Sequence, residues 1–424
     1  MTKRKHPRTS VAETFRPGES ADVDEAARIM THSFPGATRG FDWWREGLTE
    51  GPHSGIESLW VGEEDGRIVA VCQLHPMRQW IGGREIPLMG LGSVAIAPTH
   101  RRRGLGKRLV AAGMAHARER GEMASALYPF RVGFYARLGY GLAGEALQYR
   151  FAPDVLVADP PKAGLHLVQG DDDFAELRKV YAAWARRQTG QLVRTERSWR
   201  GAWGGEDRAA VICRGADGEP EGYAIVRYRT DLPPGERFLE VEERAWLTDA
   251  AQRAIYGWLA TLGDQWREIV YRAHAEEGFG DRLEEPRLPS GSAPGWGLWY
   301  ASATLLRGPM FRLLDVAKAL RMRSVAGDGE LRLLLRVDDP QIAENRGPWL
   351  MELRDEEIRV EPHGGGTADA ELEMGIGTLS RIYVGALTPT EAVTAGTARV
   401  DRQQVVERLD SAFAVPRPWT FDRF

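Results

Sequence analysis

Cysteine is nearly absent from this chain. Only two occur in 424 residues, Cys72 and Cys213. They lie far apart, in different predicted domains, so neither a disulfide framework nor a thiolate metal site is expected. The nine histidines show no H-E-x-x-H and no paired ligand spacing, which leaves no metal site to predict. Long apolar runs are missing as well, since none approaches the roughly 18 residues of a membrane span. The opening MTKRKHPRTS is basic, but no apolar segment follows it. Residues 1–11 therefore read as a disordered tail and not as a secretory signal. A surplus of positive charge is also lacking: the formal net charge is −4, whereas a dedicated nucleic-acid binder carries a basic domain. These absences place the chain in the cytoplasm, with no nucleic-acid partner and no membrane span.

Core-forming material is abundant. Hydrophobic residues make up 43% of the chain, ample for the two to four domains that this length suggests. Residues 12–26 read as a strand and then a helix start, with Ser20 as N-cap, and 41–48 as a short helix carrying Trp43 and Trp44. A meander follows, turning at Glu64-Asp65-Gly66 and Gly82-Gly83. Residues 104–119 have helical spacing at Leu105, Leu109, Ala112 and Ala115. Then come a strand (MASALYP), a short helix (VGFYARLG) and a final strand (YGLAGEALQYRF). The order repeats faintly over residues 210–228 and onward. At its helix start, however, the second copy carries Thr248-Asp249-Ala250-Ala251-Gln252 in place of arginines and glycines. Residues 284–297 have linker composition. Beyond them, FRLLDVAKAL reads as a helix, LRLLLRV and EIRVEP as strands flanking PWLMELR, and 376–384 and 388–397 as helices. The tail AVPRPWTFDRF holds Trp419, Phe421 and Phe424 where a frayed end would be small and polar. Docking and plain core packing both account for that.

Positive charge concentrates in residues 94–109, VAIAPTHRRRGLGKRL. A nucleic-acid patch needs several such clusters with interleaved aromatics, and here a single cluster sits on an acidic chain. A Walker loop fails because Arg101 replaces its first glycine and Arg108 its magnesium-binding hydroxyl. A dinucleotide fingerprint at Gly90-x-Gly92-x-x-Ala95 fails because its glycines precede a strand instead of opening a helix. A solvated loop with surface arginines is the bland reading. The fourth reading uses every part. A strand ends at Pro98, and a helix opens with Gly104, Leu105 and Gly106, where backbone donors approach an anion without Cβ interference. Flanking arginines and Lys107 supply charge, so the stretch reads as a pyrophosphate cradle needing no magnesium.

R-x-x-G-x-G (Arg101 to Gly106) after the strand VAIAP resembles the coenzyme A loop of the GNAT superfamily of N-acetyltransferases. F-Y-x-x-x-G-Y (Phe134 to Tyr140) resembles that superfamily's second recurrent motif. V-A-x-A-P-T-H-R-R-R-G-L and Y-x-R-x-G-Y-G, within a duplicated chain that ends in an aromatic residue, resemble the Eis (enhanced intracellular survival) family over nearly the whole length. The resemblance implies an α/β (α+β) fold. A catalytic GNAT domain of mixed, mainly antiparallel sheet spans 12–152, a degenerate GNAT-like copy 153–298, and a sterol-carrier-protein-like α+β domain 299–424. It implies one active site per chain and a homo-oligomer, a hexamer by resemblance.

By the same resemblance, acetyl-CoA and an amine meet in a ternary complex. Val94, Ala95 and Ile96 pair with the pantetheine, and a backbone N–H, that of Val94, stabilises the oxyanion. Arg102, Arg103, Gly104, Leu105, Gly106 and Lys107 hold the pyrophosphate. Phe130 and Arg131 touch the cofactor, where the family more often has small or polar residues. Tyr135 is the proton donor: a phenol of pKa about 10 can protonate a thiolate of about 8.5, the more so if the site lowers its pKa. The proton acceptor is the C-terminal carboxylate on Phe424, anchored by Trp419 and Phe421. Small polycationic acceptors, aminoglycoside-like or polyamine, follow from the family and favour carboxylate-lined pockets. Arg423, next to the proposed base, opposes such an acceptor, and Asp422 offsets it in part. Trp43, Trp44 and Trp80 are candidates for a cation–π wall. Two other functions compete: a lipid- or hydrophobic-ligand-binding module with vestigial acetyltransferase halves, and a protein-lysine acetyltransferase.

Overall fold

The computed structural model describes residues 12–34, 40–159, 164–203, 206–288, 299–323, 325 and 330–424. The tail expected over residues 1–11 lies outside them. The chain first forms β1 (Glu13–Pro17), α1 (Val23–Ser33), α2 (Phe41–Glu50), β2 (Leu59–Glu64), β3 (Arg67–Ile81) and β4 (Arg84–Ile96). It continues through α3 (Leu105–Arg120), β5 (Ala124–Leu127), α4 (Val132–Ala136) and β6 (Gly141–Leu142). The faint repeat gives β7 (Glu145–Phe151), β8 (Leu165–Leu167), α5 (Gly170–Ala185), α6 (Glu196–Trp203), β9 (Arg208–Arg214) and β10 (Pro220–Tyr228). It closes with β11 (Leu239–Trp246), α7 (Asp249–Ala260), β12 (Ile269–His274) and β13 (Thr304–Arg307). The last stretch holds β14 (Met310–Leu313), α8 (Val316–Met322), β15 (Leu331–Asp338), β16 (Trp349–Arg354), β17 (Glu357–Pro362) and β18 (Ala370–Gly375). It ends with α9 (Ile376–Tyr383), α10 (Pro389–Thr394), β19 (Ala398–Val400) and α11 (Val406–Ala412).

Three mixed sheets result, in the orders β1-β2-β3-β4-β5-β14-β6, β13-β7-β12-β11-β10-β9-β8 and β17-β16-β15-β18-β19. The first sheet is covered on both faces, which is why β3 carries a continuous apolar run and not an alternating one. Val61, Val71 and Ala95 pack against α1 and α2. Ala70, Cys72, Leu74 and Leu91 pack against α3. Tandem acetyltransferase-like sheets followed by a smaller α+β domain are therefore the architecture.

Three local expectations change. Ser20 does not cap α1; it opens a single 3₁₀ turn, capped by a reciprocal pair between Glu19 and Asp22, and the helix starts at Val23. YGLAGEALQYRF is two strands: β6 stays in the first sheet, while β7 crosses into the second between β13 and β12. FRLLDVAKAL is a helix only from Val316, where Asp315 caps the first turn. Its front, β14, fills the first sheet between β5 and β6. Met310 faces the α3 core while Phe311 and Leu313 face the core of the third sheet. Apart from Arg312, which is buried against Asp339 at 2.8 Å, this strand is apolar on both faces, and periodicity alone does not separate such a run from a helix.

Candidate active site

The site begins where two parallel strands part. β4 pairs with β5 at Leu88, Met89 and Gly90, and then continues alone to Ile96 beside β3. The backbone edge from Leu91 to Ile96 that faces away from β3 is therefore left open. Opposite Cys72 the β3–β4 register shifts, and Ser93 takes φ +53°. Such a bulge re-aims the peptide groups around it, and Val94 is the next residue.

The loop after β4 turns through two left-handed residues, Arg102 (φ +63°) and Gly104 (φ +80°). Gly104 is the N-cap of α3 and brings no side chain to its donors. Lys107 and Arg108 N–H groups bond the Gly104 carbonyl at 3.1 and 3.3 Å. Those of Leu105 and Gly106 remain first-turn donors at the positive end of a 16-residue helix. A Cβ on Gly106 would come no closer than 3.7 Å to anything, its nearest neighbour being Ile96 at the end of β4. The basic cluster divides its labour. Arg101 is tied to the Ile96 and His32 carbonyls, and Arg108 grips Glu13 with two bonds of 2.7 and 2.6 Å. Arg103 bonds the Thr99 carbonyl and lies 3.6 Å from Glu64. Arg102 and Lys107 are exposed and have no partner among the described residues. In the second copy the equivalent helix start is closed, because the Thr248 hydroxyl accepts from Ala251 N–H. That copy offers no open cradle.

α4 sets Tyr135 into the core beneath this edge, 3% exposed. Its ring lies 5.0 Å from Phe134, 5.6 Å from Phe130 and 5.9 Å from Tyr140. Burial, reinforced by Tyr140 and Cys72, pushes the phenol pKa above its ordinary value. The lowering that would ease proton donation is not found, because the surroundings of the hydroxyl are apolar. No group among the described residues hydrogen-bonds the hydroxyl. Phe130 and Arg131 lie at the rim, Phe130 being 68% exposed.

The chain end arrives from the second sheet. Trp419 is buried among Tyr181, Trp184 and Trp199, and its backbone N–H bonds the Thr189 carbonyl at 3.1 Å. Phe421 stacks on Trp184, and the Arg244 guanidinium lies over both Trp419 and Phe421. Asp422 pairs with Arg194 at 2.8 Å, and Arg194 also pairs with Glu243 at 2.6 Å, all three buried. From there the chain crosses to the first sheet. Tyr128 donates to the Asp422 carbonyl at 2.5 Å, and His53 Nε2 meets the Arg423 carbonyl at 2.6 Å. Phe424 then settles onto two glycines of β4. A Cβ on Gly90 would stand 2.9 Å from Phe424 Cδ2 and 2.5 Å from Met77 Sδ. A Cβ on Gly92 would stand 3.6 Å from the Phe424 carboxyl carbon and 3.2 Å from His75 Nε2. Burial disfavours the charged form of both neighbouring histidines. His53 is lowered despite the Arg423 carbonyl, and His75, bonded to Ser54 Oγ at 2.5 Å, is pushed down to about 3.

The structure therefore gathers the Val94–Ile96 edge, the Gly104–Gly106 helix start, Tyr135 and the Phe424 carboxyl around one strand. Trp44 and Trp80 pack into cores and Trp43 lies on the surface. None of the three lines the cavities beside the chain end. Gly90, Gly92, His53, His75, Tyr128 and Arg194 were not expected. A signal existed for the glycines, since glycine inside a strand marks close approach of another backbone. The others are joined only by folding. Among the described residues no cluster of three metal-ligating side chains occurs, and no helix is long and apolar enough to cross a membrane.

Known proteins share this domain order. Acetyltransferase (GNAT) domain families match residues 14–143 and 190–313, and the sterol carrier protein domain family matches 316–421. The N-acetyltransferase Eis of Mycobacterium tuberculosis is 30% identical over 373 residues, covering 83% of this chain and 84% of that protein. Two solved structures share the fold. A GCN5-related N-acetyltransferase from Anabaena variabilis superposes with TM-score 0.81 at 22% identity, over 97% of this chain and all of that one. Eis1 from Mycobacterium abscessus gives TM-score 0.77 at 20% identity, with the same coverage.

Proposed function

This chain belongs to the Eis family of GNAT N-acetyltransferases, and from that premise we propose that it acetylates a small amine by direct attack in a ternary complex. Acetyl-CoA, the donor that GNAT acetyltransferases use, supplies the activated thioester. The residues fit such a donor, because an uncapped helix start and an open strand edge adjoin each other. Leu105 and Gly106 N–H groups, with Arg102, Arg103 and Lys107, hold the pyrophosphate. Val94 to Ile96 pair with the pantetheine arm, and Val94 N–H receives the developing oxyanion. Phe130 and Arg131 close the rim over the donor.

The amine nitrogen bonds to the acetyl carbon as the carbon–sulfur bond breaks. Before that, the Phe424 carboxylate takes one proton from the bound ammonium, directly or through one water, and so frees the lone pair that attacks. At an ordinary pKa of about 3.5 it is a weak base, so its work is to orient the amine as well as to accept the proton. Tyr135 gives its proton to the leaving sulfur, and the second proton, shed by the new amide nitrogen, restores the phenol through water. The observation that carries this reading is the Phe424 carboxyl carbon beside Gly92, on the strand that leaves β5 two residues earlier.

The lipid-carrying alternative is disfavoured by the cavity between the third sheet and its helices. Lined by Leu335, Met351 and Phe413, it measures about 10 Å³, room for one water at most. A homo-oligomer in the cytoplasm belongs to the same proposal. Among acceptors, the family puts aminoglycosides and polyamines first and protein lysines second. Thiol release from acetyl-CoA against an amine panel tests the activity. Turnover with at least one small amine is expected, while binding of acetyl-CoA without turnover on any amine would overturn it.

A further inference from the structure

The chain end is flanked by two cavities that meet at His53. The first, of about 180 Å³, lies between the first and second sheets and carries three acids, Glu242, Glu243 and Asp422. Each of them is already engaged. Asp422 and Glu243 close on Arg194 at 2.8 and 2.6 Å, and Glu242 closes on Arg208 at 2.6 Å. Arg272, on the same wall, turns to Glu240. Arg423 differs from these arginines. It is exposed, it lines the cavity, and its guanidinium has no ion pair or hydrogen bond among the described residues. Burial disfavours a charge on His53.

The second cavity, of about 570 Å³, repeats the imbalance. Arg78 and Arg120 on its wall are paired with Glu85 and Glu122. The Lys318 ammonium finds only the Gly121 carbonyl among the described residues. A second ammonium on an acceptor would therefore meet no uncommitted side-chain carboxylate in either cavity. The one terminal carboxylate, on Phe424, is occupied by the attacking amine. An anionic group would meet Arg423.

Resting on the reading of this cleft as the acceptor site, we infer that the acceptor is a small amine carrying its own anionic group, carboxylate or phosphate, which pairs with Arg423. A polycation is the class this wall selects against.

The test is kcat/KM for acetyl transfer on matched pairs that differ by the anion. Lysine is set against cadaverine, arginine against agmatine, and phosphoethanolamine against ethanolamine, the last pair separating phosphate from carboxylate. Native protein is expected to favour the anionic member of at least one pair about tenfold. Arg423→Glu should reverse that preference, and Arg423→Lys should keep most of it. Calorimetric acetyl-CoA binding to each variant confirms an intact fold. Native preference for the plain amines overturns the inference and leaves the transferase reading standing. A preference that survives Arg423→Glu overturns the assignment to Arg423. Native protein that binds acetyl-CoA and acetylates neither class overturns the reading of the cleft itself.

Discussion

The phenol of Tyr135 sits where aromatic rings and Cys72 exclude water, and the same exclusion acts on a thiolate generated beside it. Burial raises the pKa of a phenol and of a thiol alike; the buried Cys72 thiol is itself pushed up. In the proposed reaction the same burial would raise both groups, so the upward shift of Tyr135 does not by itself remove it as the proton donor. Tyr135→Phe is expected to lower kcat about a hundredfold or more. KM for acetyl-CoA should stay within about twofold, since the hydroxyl ties down no other group among the described residues. Steady-state thiol release checks both numbers, and an equal loss in acetyl-CoA affinity would make Tyr135 a binding group instead. Its position was legible from F-Y-x-x-x-G-Y, because the motif fixes a helix turn. The direction of its pKa was not, because that depends on Phe130, Tyr140 and Cys72, which only the fold assembles.

Strand β4 does three things along its length. Its first half holds β5, its middle receives the chain end, and its last residues offer an open edge leading into the α3 cradle. The cradle was legible because it is local: proline ends the strand, glycines open the helix and basic residues flank them. The loss of the cradle in the second copy was equally local, and Thr248 supplies the physical reason by capping α7. The middle of β4 was not legible. Gly90 and Gly92 were weighed only as a nucleotide fingerprint, since their visitor comes from the far end of the sequence. Gly90→Ala is expected to push Met77 and the Phe424 ring aside. Acetyl transfer should drop by roughly tenfold or more while acetyl-CoA still binds, at a stability cost of about 1–3 kcal/mol. Gly47→Ala in α2 is the control, because a Cβ there meets nothing within 4 Å. It should leave turnover intact and hold or slightly raise Tm. Unchanged activity in Gly90→Ala would remove Phe424 from the working geometry.

In the whole molecule, no single sheet builds the site. β14 completes the first sheet from late in the chain, β7 passes from the first stretch into the second sheet, and the last six residues run back across both. Along that path, Trp419 and Phe421 fix the tail to the second core, the buried Arg194–Asp422–Glu243 cluster pins its turn, and Tyr128 and His53 hold the final carbonyls. An aromatic tail was visible in the sequence, with docking and plain core packing both open, but the place where it lies was not. Trp184, Arg194, Tyr128 and His53 are scattered along the chain, and no local pattern links them. The proposed base is then a main-chain carboxylate, which an added residue removes without altering any side chain. The most direct measurement is acetyl transfer by native protein and by a version extended several residues beyond Phe424, with acetyl-CoA binding measured on both. Abolished turnover with donor binding preserved is the expected result. An extended protein that acetylates as fast as the native one would contradict the role of the Phe424 carboxylate and place the base elsewhere.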